Sequence, residues 1–534
     1  MRSSISFALA AFFGFTVLVA ADWQYRSRPD LTPPRLNITV PAKKGLVEQG
    51  LIFVAPYPGA KTGSEGPVQP TAYIFRDDGD LVWSGLGYFA GNVANFGVET
   101  WAGEQVLRAF QGQKAETLGR SYGYHILLNK KYEPVKSVRG WSHKLGSAHE
   151  FRIVDNKFAL VETGSTKPIG LSSWGGGEGQ DWIISTGFQE LNIETGDVIF
   201  DWESLDHIDP NETCNSLSLE NLPPVTGVDS SHAWDYFHIN SVDKDNEGNY
   251  IVSGRHTSAI YKINGTTGDV IWTLGGSRSS FDIKHDTQFA YQHDARLLSR
   301  SSDGNIEVIS IFDNTAASAS LKDQISPYSR ARIIQLNHSD STATALRTYP
   351  APDSLSAYSQ GNAQVLPNTN VFVNWGEAGA ITEFSEDGEV LFHAYLDSGG
   401  YSVQNYRGFR SNWTGNPREE PVLLAIYGAA AGEIDAYISW NGDTEVAVWK
   451  FFAEPLEGRN PERILLGQVR RTGFETYLKL ESSTVNGEIL VSAQALDANN
   501  RVLANTNSVV ILRNPLGPSG LPGKPSQEVS FEEL

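Results

Sequence analysis

The side chains best able to do chemistry cluster between residues 234 and 314 of the 534-residue sequence. Trp234-Asp-Tyr236-Phe-His238-Ile-Asn240 reads as the opening of a strand, and Gly254-Arg255-His256 as the end of the next. Tyr291-Gln-His293-Asp-Ala opens another strand, with Phe312-Asp-Asn beyond it. His149, in Ala-His-Glu-Phe, stands in a comparable opening. An imidazole can be a nucleophile, a reversible carrier or a proton donor and acceptor. A guanidinium is a planar, permanently charged fork for anionic oxygens. Imidazoles can also bind a metal, but no His-x-His or Glu-x-x-His spacing favours that. Cys214, the single cysteine, excludes a thiolate zinc site and an internal disulfide framework. No metal and no cofactor is expected. A lone histidine in a β protein is usually a hydrogen-bonded structural group, which is the reading for His125, His143, His207, His285, His338 and His393. A buried Arg255 could likewise simply pair with Asp235 or Asp294.

Two recurring strings say what must position these residues. Gly79-Asp-Leu-Val-Trp, Gly196-Asp-Val-Ile-Phe, Gly268-Asp-Val-Ile-Trp and Gly388-Glu-Val-Leu-Phe each follow a strand and a polar turn. That is a hairpin in which glycine takes the positive φ of the turn. Six strand openings precede apolar alternation, at Val98–Trp101, Ala148–Phe151, Phe237–Asn240, Gln292–Ala295, Gly361–Gln364 and Gly408–Ser411. Together they predict an all-β chain with a six-bladed β-propeller, the first strand of each blade lining a central channel. Residues 22–48 are an extended lead-in, 49–430 the propeller, 431–513 a small β-sandwich-like domain and 514–534 a disordered tail. Residues 51–84 should supply outer strands of the last blade by pairing near 420–428.

Composition bounds the partners and the compartment. Lys plus Arg is 42 against 62 Asp plus Glu, a net charge of −20, which argues against nucleic acid. Residues 1–21 read as a secretory signal, and no later apolar run is long enough for a membrane anchor. Sequons at Asn37, Asn211, Asn264, Asn337 and Asn412 fit a secreted glycoprotein of a eukaryotic route.

The strings Phe-His-Ile-Asn-Ser, Ser-Gly-Arg-His-Thr, Gln-His-Asp-Ala and Phe-Asp-Asn, in this order, resemble the arylsulfate sulfotransferase family, particularly its secreted fungal branch. The resemblance runs from about residue 49 to Phe474-Glu-Thr. It implies transfer of a sulfuryl group from a phenolic sulfate ester to another phenol, without a nucleotide donor. By that resemblance His293 is the nucleophile that becomes sulfated, His238 an acid–base histidine, Arg255 the sulfuryl-binding arginine and His149 a further channel histidine. Small phenolic substrates would then meet Trp234, Tyr236, Asn240, His256, Tyr291 and Trp375, with Trp101 also in the aromatic lining. If His238 switches protonation state, turnover should have a pH limb between about 5 and 8. The chain lacks the cysteine pair of bacterial members, and its sandwich-like block follows the propeller. Two other readings stay open: a propeller enzyme performing other chemistry on a phenolic or polyketide-like substrate, such as a cyclisation, and a non-catalytic secreted binding module.

Overall fold

The computed structural model describes residues 23–513 except 60–65, 116–119, 218–225, 319–323, 398, 429, 431, 456–462 and 482–488. The expected signal at 1–21 and tail at 514–534 lie outside the described residues. The described chain is all-β, with short 3-10 turns between strands and no helix long and apolar enough to cross a membrane.

Six runs of four antiparallel strands follow one another among the described residues, the first two joined into one eight-stranded sheet by pairing at Gly146 and Gly123. Five are continuous in sequence, at 92–138, 145–203, 239–275, 293–350 and 362–395. The sixth closes on itself from both ends of the chain: Phe409–Ser411 pairs with Leu51–Val54, followed by Tyr73–Phe75 and Leu81–Ser84. The first strands of successive units, Asn92–Trp101, Leu145–Val154, Ile239–Lys244, His293–Arg300 and Asn362–Val365, touch in order, and Phe409–Ser411 returns to the first. The outer strands therefore come from 51–84 as expected, but their partner is 409–411. Val422–Tyr427 instead pairs with Glu433–Ser439 in a different sheet. An apolar strand of the right length is the same signal in either place, and only pairing decides between them.

The four glycines of the hairpin string, Gly79, Gly196, Gly268 and Gly388, all have φ between +79° and +92°. Each joins the third and fourth strands of its unit. Of the six openings, Val98–Trp101 lies at the far end of its strand instead of the beginning. A bulge between Ala94 and Gly97 marks the equivalent start in that unit. The lead-in is more than a linker: Asn37–Val40 adds a fifth strand beside Val390–Tyr395 and covers that edge.

Beyond residue 420, the sheet of Val422–Tyr427, Glu433–Ser439 and Glu475–Glu481 and a five-stranded sheet centred on Val448–Pro455 share one apolar core. This block is fastened to the closing unit. Asn441 exchanges two hydrogen bonds with the Ser84 backbone, at 2.8 and 3.0 Å. The Tyr132 hydroxyl donates to the Gly442 carbonyl, and its ring stacks on Trp83 at 4.9 Å.

Candidate active site

His149, His238 and His293 lie on or just before the first strands of three successive units, and Arg255 follows the second strand of the middle one. The openings are not regular strand. His238 and Asp294 have φ of +56° and +55°, and register slips after Ile239 and after His293. Left-handed residues at bulges re-aim side chains, and here the three imidazoles turn into one cavity of about 350 Å³. Arg255 shares it, together with Tyr57, Lys114, Arg120, Gln360, Glu377 and Tyr406 among others. In a chain of net charge −20 the cavity gathers Arg255, Arg120 and Lys114 against Glu377. That balance suits an anionic ligand. The His149 and His238 rings are 4.9 Å apart, and those of His238 and His256 4.7 Å.

Each cavity imidazole is held through Nδ1 by a different kind of group. Asn314 donates its amide to the Ala357 and Gln360 carbonyls, at 2.7 and 3.0 Å, which fixes its orientation. Its Oδ1 must then accept from His293, whose Nδ1–H donates at 2.7 Å. His293 therefore carries its proton on Nδ1 and a lone pair on Nε2. Among the described residues that lone pair accepts only the Gln360 backbone N–H, at 3.2 Å. His238 Nδ1–H donates to the Asp235 carboxylate at 2.6 Å. His149 Nδ1 lies 2.8 Å from Ser147 Oγ and 3.4 Å from Glu162 Oε2.

His256 is placed differently from expectation. Its Nδ1–H donates to the Asp235 carbonyl at 2.6 Å and its Nε2 accepts from Arg255 Nη1 at 2.7 Å. Arg255 Nη2 also donates to the Tyr358 carbonyl at 3.0 Å, and its guanidinium sits 5.5 Å from the Tyr291 ring centre. Arg255 pairs with neither Asp235 nor Asp294. His256 and Tyr291 therefore act on Arg255, not on the cavity. Asp235, His238 and His256 bring three ligand-type atoms within 4.8 Å. Both His256 nitrogens and His238 Nδ1 are already engaged in hydrogen bonds within the protein.

The expected aromatic lining is corrected. Trp234 and Tyr236 are buried in the core between units, Trp234 donating to the Asn215 carbonyl at 2.7 Å. Trp375 is buried in another core and donates to Thr382. Trp101 packs against a third. Asn240 donates to the Gln292 carbonyl at 2.7 Å and does not reach the cavity. Indoles at strand openings look alike from sequence, whereas burial between sheets is a tertiary outcome. The aromatic rings in the wall are Tyr57 and Tyr406. The sequence reading passed over Arg120, Asn314 and Asp235 as site residues, although Asn314 stood in the quoted Phe-Asp-Asn string.

Further along the same strands Glu150 accepts from Arg407 Nη1 at 2.9 Å and from the Val242 amide at 3.0 Å, and forms an ion pair with Arg296 Nη2 at 2.7 Å. Arg296 also donates to Asp294, and Asp294 accepts the Ala363 amide. Arg407 donates to the Asn240 carbonyl at 2.7 Å. This network ties five of the six units together. A second cavity of about 320 Å³ opens beside it, lined by Glu99, Arg108, Glu150, Asp294 and Arg296 among others.

Burial sets the protonation of the site. It pushes His238 and His293 well below the ordinary imidazole range, helped for His238 by His149, Arg255 and Arg120 and for His293 by Arg255. The acid limb of turnover expected near pH 5–8 therefore moves to the acid side. Burial likewise lowers His125 and His256 to about 3. Above the unfolded value of ~6.5 these groups are neutral in both states and do not alter stability. As pH falls below it, the unfolded chain takes protons that the folded chain refuses, and stability is lost until the folded values are passed. Between pH 6.5 and 5, the unfolding midpoint should fall steadily, and His125→Phe should reduce the linked proton uptake by about one. A midpoint flat over that window would show that these imidazoles are already charged when folded.

A search of curated proteins returns no match. Among solved structures, similarity is found to a Bacteroides caccae protein of unknown function (13% identity, 68% of this chain and 98% of that one, TM-score 0.34). It is also found to the GH43 protein BlXynB of Bacillus licheniformis (7%, 79% and 90%, 0.29). A third is an inactive virginiamycin B lyase from Staphylococcus aureus (9%, 76% and 92%, 0.27). The sequence itself matches the family described as Arylsulfotransferase (ASST) over residues 97–397, more than half of the chain and a span that holds His149, His238, Arg255 and His293. On that match, the chain belongs to the arylsulfotransferase family.

Proposed function

We propose that the protein transfers a sulfuryl group from an aryl sulfate to a phenol in two steps, with His293 as the carrier. The observation that carries this reading is the fixed Asn314 amide, which leaves Nε2 of His293 as the lone-pair nitrogen in a cavity shared with Arg255. In the first step the Nε2 lone pair forms a bond to sulfur and the sulfur–aryl oxygen bond breaks. The electron pair leaves on the aryl oxygen, which takes a proton from the His238 imidazolium. In the second step neutral His238 removes the proton of the incoming phenol, whose oxygen bonds to sulfur as the nitrogen–sulfur bond breaks and the lone pair returns to Nε2. Protons and charge balance over the cycle.

The partners on Nδ1 fit this division of labour. The Asn314 amide fixes the tautomer of His293, while burial and the charge of Arg255 keep its ring neutral, so it stays a nucleophile. Burial and the nearby His149, Arg255 and Arg120 keep His238 neutral without ligand, so it takes up its proton as the anionic ester enters, with its Nδ1–H held on Asp235. Arg255 supplies donors to the sulfuryl oxygens. The Gln360 amide that now bonds Nε2 becomes a donor to one of those oxygens once sulfur takes its place. At about 350 Å³ the cavity is at the small end of ligand sites, which favours one substituted ring at a time and hence a carrier.

The proposal extends to the architecture: the six units are the blades of a propeller, and the block after residue 420 is a β-sandwich-like domain. It extends to secretion after removal of residues 1–21, with glycans on the five sequons, whose asparagines are exposed or half-exposed. The test is to incubate the purified protein with a chromogenic aryl sulfate and a phenol. Release of the chromophore should depend on the phenol. With donor alone, the peptide containing His293 should gain one acid-labile sulfuryl group. Absence of both with a range of aryl sulfates would turn the reading toward other chemistry on a phenolic ligand.

A further inference from the structure

Arg120 is 2% exposed, yet it lines the histidine cavity. Its Nη2 bonds Glu162 Oε1 and lies 3.4 Å from the Thr163 carbonyl. Its Nε and Nη1 are buried without a hydrogen-bond partner among the described residues. An arginine kept only for its ion pair would be expected to have its remaining donors satisfied, because a buried unmet N–H forfeits the hydrogen bonds it would make with water. The facing strand makes room for it. Gly164 sits in the middle of Phe158–Pro168, and a Cβ there would fall 2.5 Å from Arg120 Nη2. Glycine in a strand interior is weakening unless something must approach closely, and here the guanidinium does. Lys114 reaches the same cavity from the neighbouring strand, where it is directly opposite Ser121, and lies 5.7 Å from the Tyr57 ring centre.

The cavity thus holds two guanidinium groups. Arg255 is fastened beside the His256 ring, and Arg120 stands with Glu162 by His149. One sulfuryl group needs one fork. We propose that Arg120, supported by Lys114, is a second anion-binding site in this cavity, and that the preferred phenols and aryl sulfates carry a carboxylate on the ring. This rests on the reading of the cavity as the meeting place of an aryl sulfate and a phenol. A single charged hydrogen bond in a buried site contributes ~1.5–3 kcal/mol, which corresponds to about 10- to 100-fold in affinity.

The experiment compares 4-hydroxybenzoate with phenol, first by equilibrium binding without any donor and then as acceptors with one uncharged-ring aryl sulfate. The wild type should bind 4-hydroxybenzoate at least ten-fold more tightly than phenol and favour it in kcat/KM by a similar factor. In Arg120→Gln both ratios should fall toward one. Gly164→Ala, which keeps every charge and crowds the guanidinium, should lower both ratios in the same direction. It serves if Arg120→Gln does not fold with Glu162 left unpaired. A wild type without preference for the carboxylate overturns the proposal, and so does a preference that survives both substitutions. If neither phenol accepts sulfate but the binding ratio is present and depends on Arg120, the anion site stands and the transfer reading fails.

Discussion

His293→Ala is expected to lower sulfuryl transfer by on the order of 10⁴–10⁶-fold, the scale on which removal of a covalent carrier or its partner acts. The adduct formed with donor alone should vanish with it. Folding should survive, because the imidazole bonds only Asn314 and two backbone groups and stands in a cavity wall. Truncation would enlarge a space that solvent can enter instead of opening a dry void. Asn314→Asp sharpens the test. A carboxylate at Nδ1 would draw His293 toward imidazolium, which has no lone pair on Nε2, so sulfation with donor alone should slow, and the unfolding midpoint should fall as well because a carboxylate cannot donate to the Ala357 and Gln360 carbonyls. Stopped-flow release of the chromophore measures that step. Normal transfer by His293→Ala would assign the carrier to another group.

The largest effect on stability is expected from Glu150→Gln. Burial alone would raise this carboxyl, yet Arg296 and Arg407 outweigh it and hold the group at about 2. The glutamine keeps the shape and removes the charge, leaving two buried arginines with only Asp294 between them. Breaking a buried pair from one side costs about 3–5 kcal/mol. Because the carboxylate joins strands of separate units, the loss should appear in the cooperative unfolding of the whole ring. The exposed pair of Arg418 and Glu133 is the control, and Glu133→Gln should leave the urea midpoint in place. Equal midpoints for both variants would mean that the buried network contributes nothing net.

Much of this was legible before any coordinates. Repeated glycine–acid hairpins are local events, dictated by φ at one residue, and all four fall where the string placed them. The histidines converge because each stands at the opening of a first strand, and Arg255 reaches them from the end of the second strand of the middle unit. Three things were not legible. Which aromatic faces a cavity depends on the packing of neighbouring sheets, so Trp234 and Trp375 were misplaced. The positive φ at His238 and Asp294 breaks the simple alternation of a strand, and Asp294 turns into the Arg296–Arg407 network. Arg120 lies on a third strand, far from any motif, and only the fold brings it beside His149.

The closing unit also sets a timetable. Leu51–Val54 pairs early with Tyr73–Phe75, but its other edge finds a partner only when Phe409–Ser411 exists, about 360 residues later in the chain. At synthesis rates of about 5–20 residues per second, that edge waits on the order of 20–70 s while the five units between are made. Until then both ends of the incomplete ring present open strand edges, the kind of surface on which chains aggregate. Translation speed and holding chaperones should therefore govern the yield of this protein more than the stability of any one sheet.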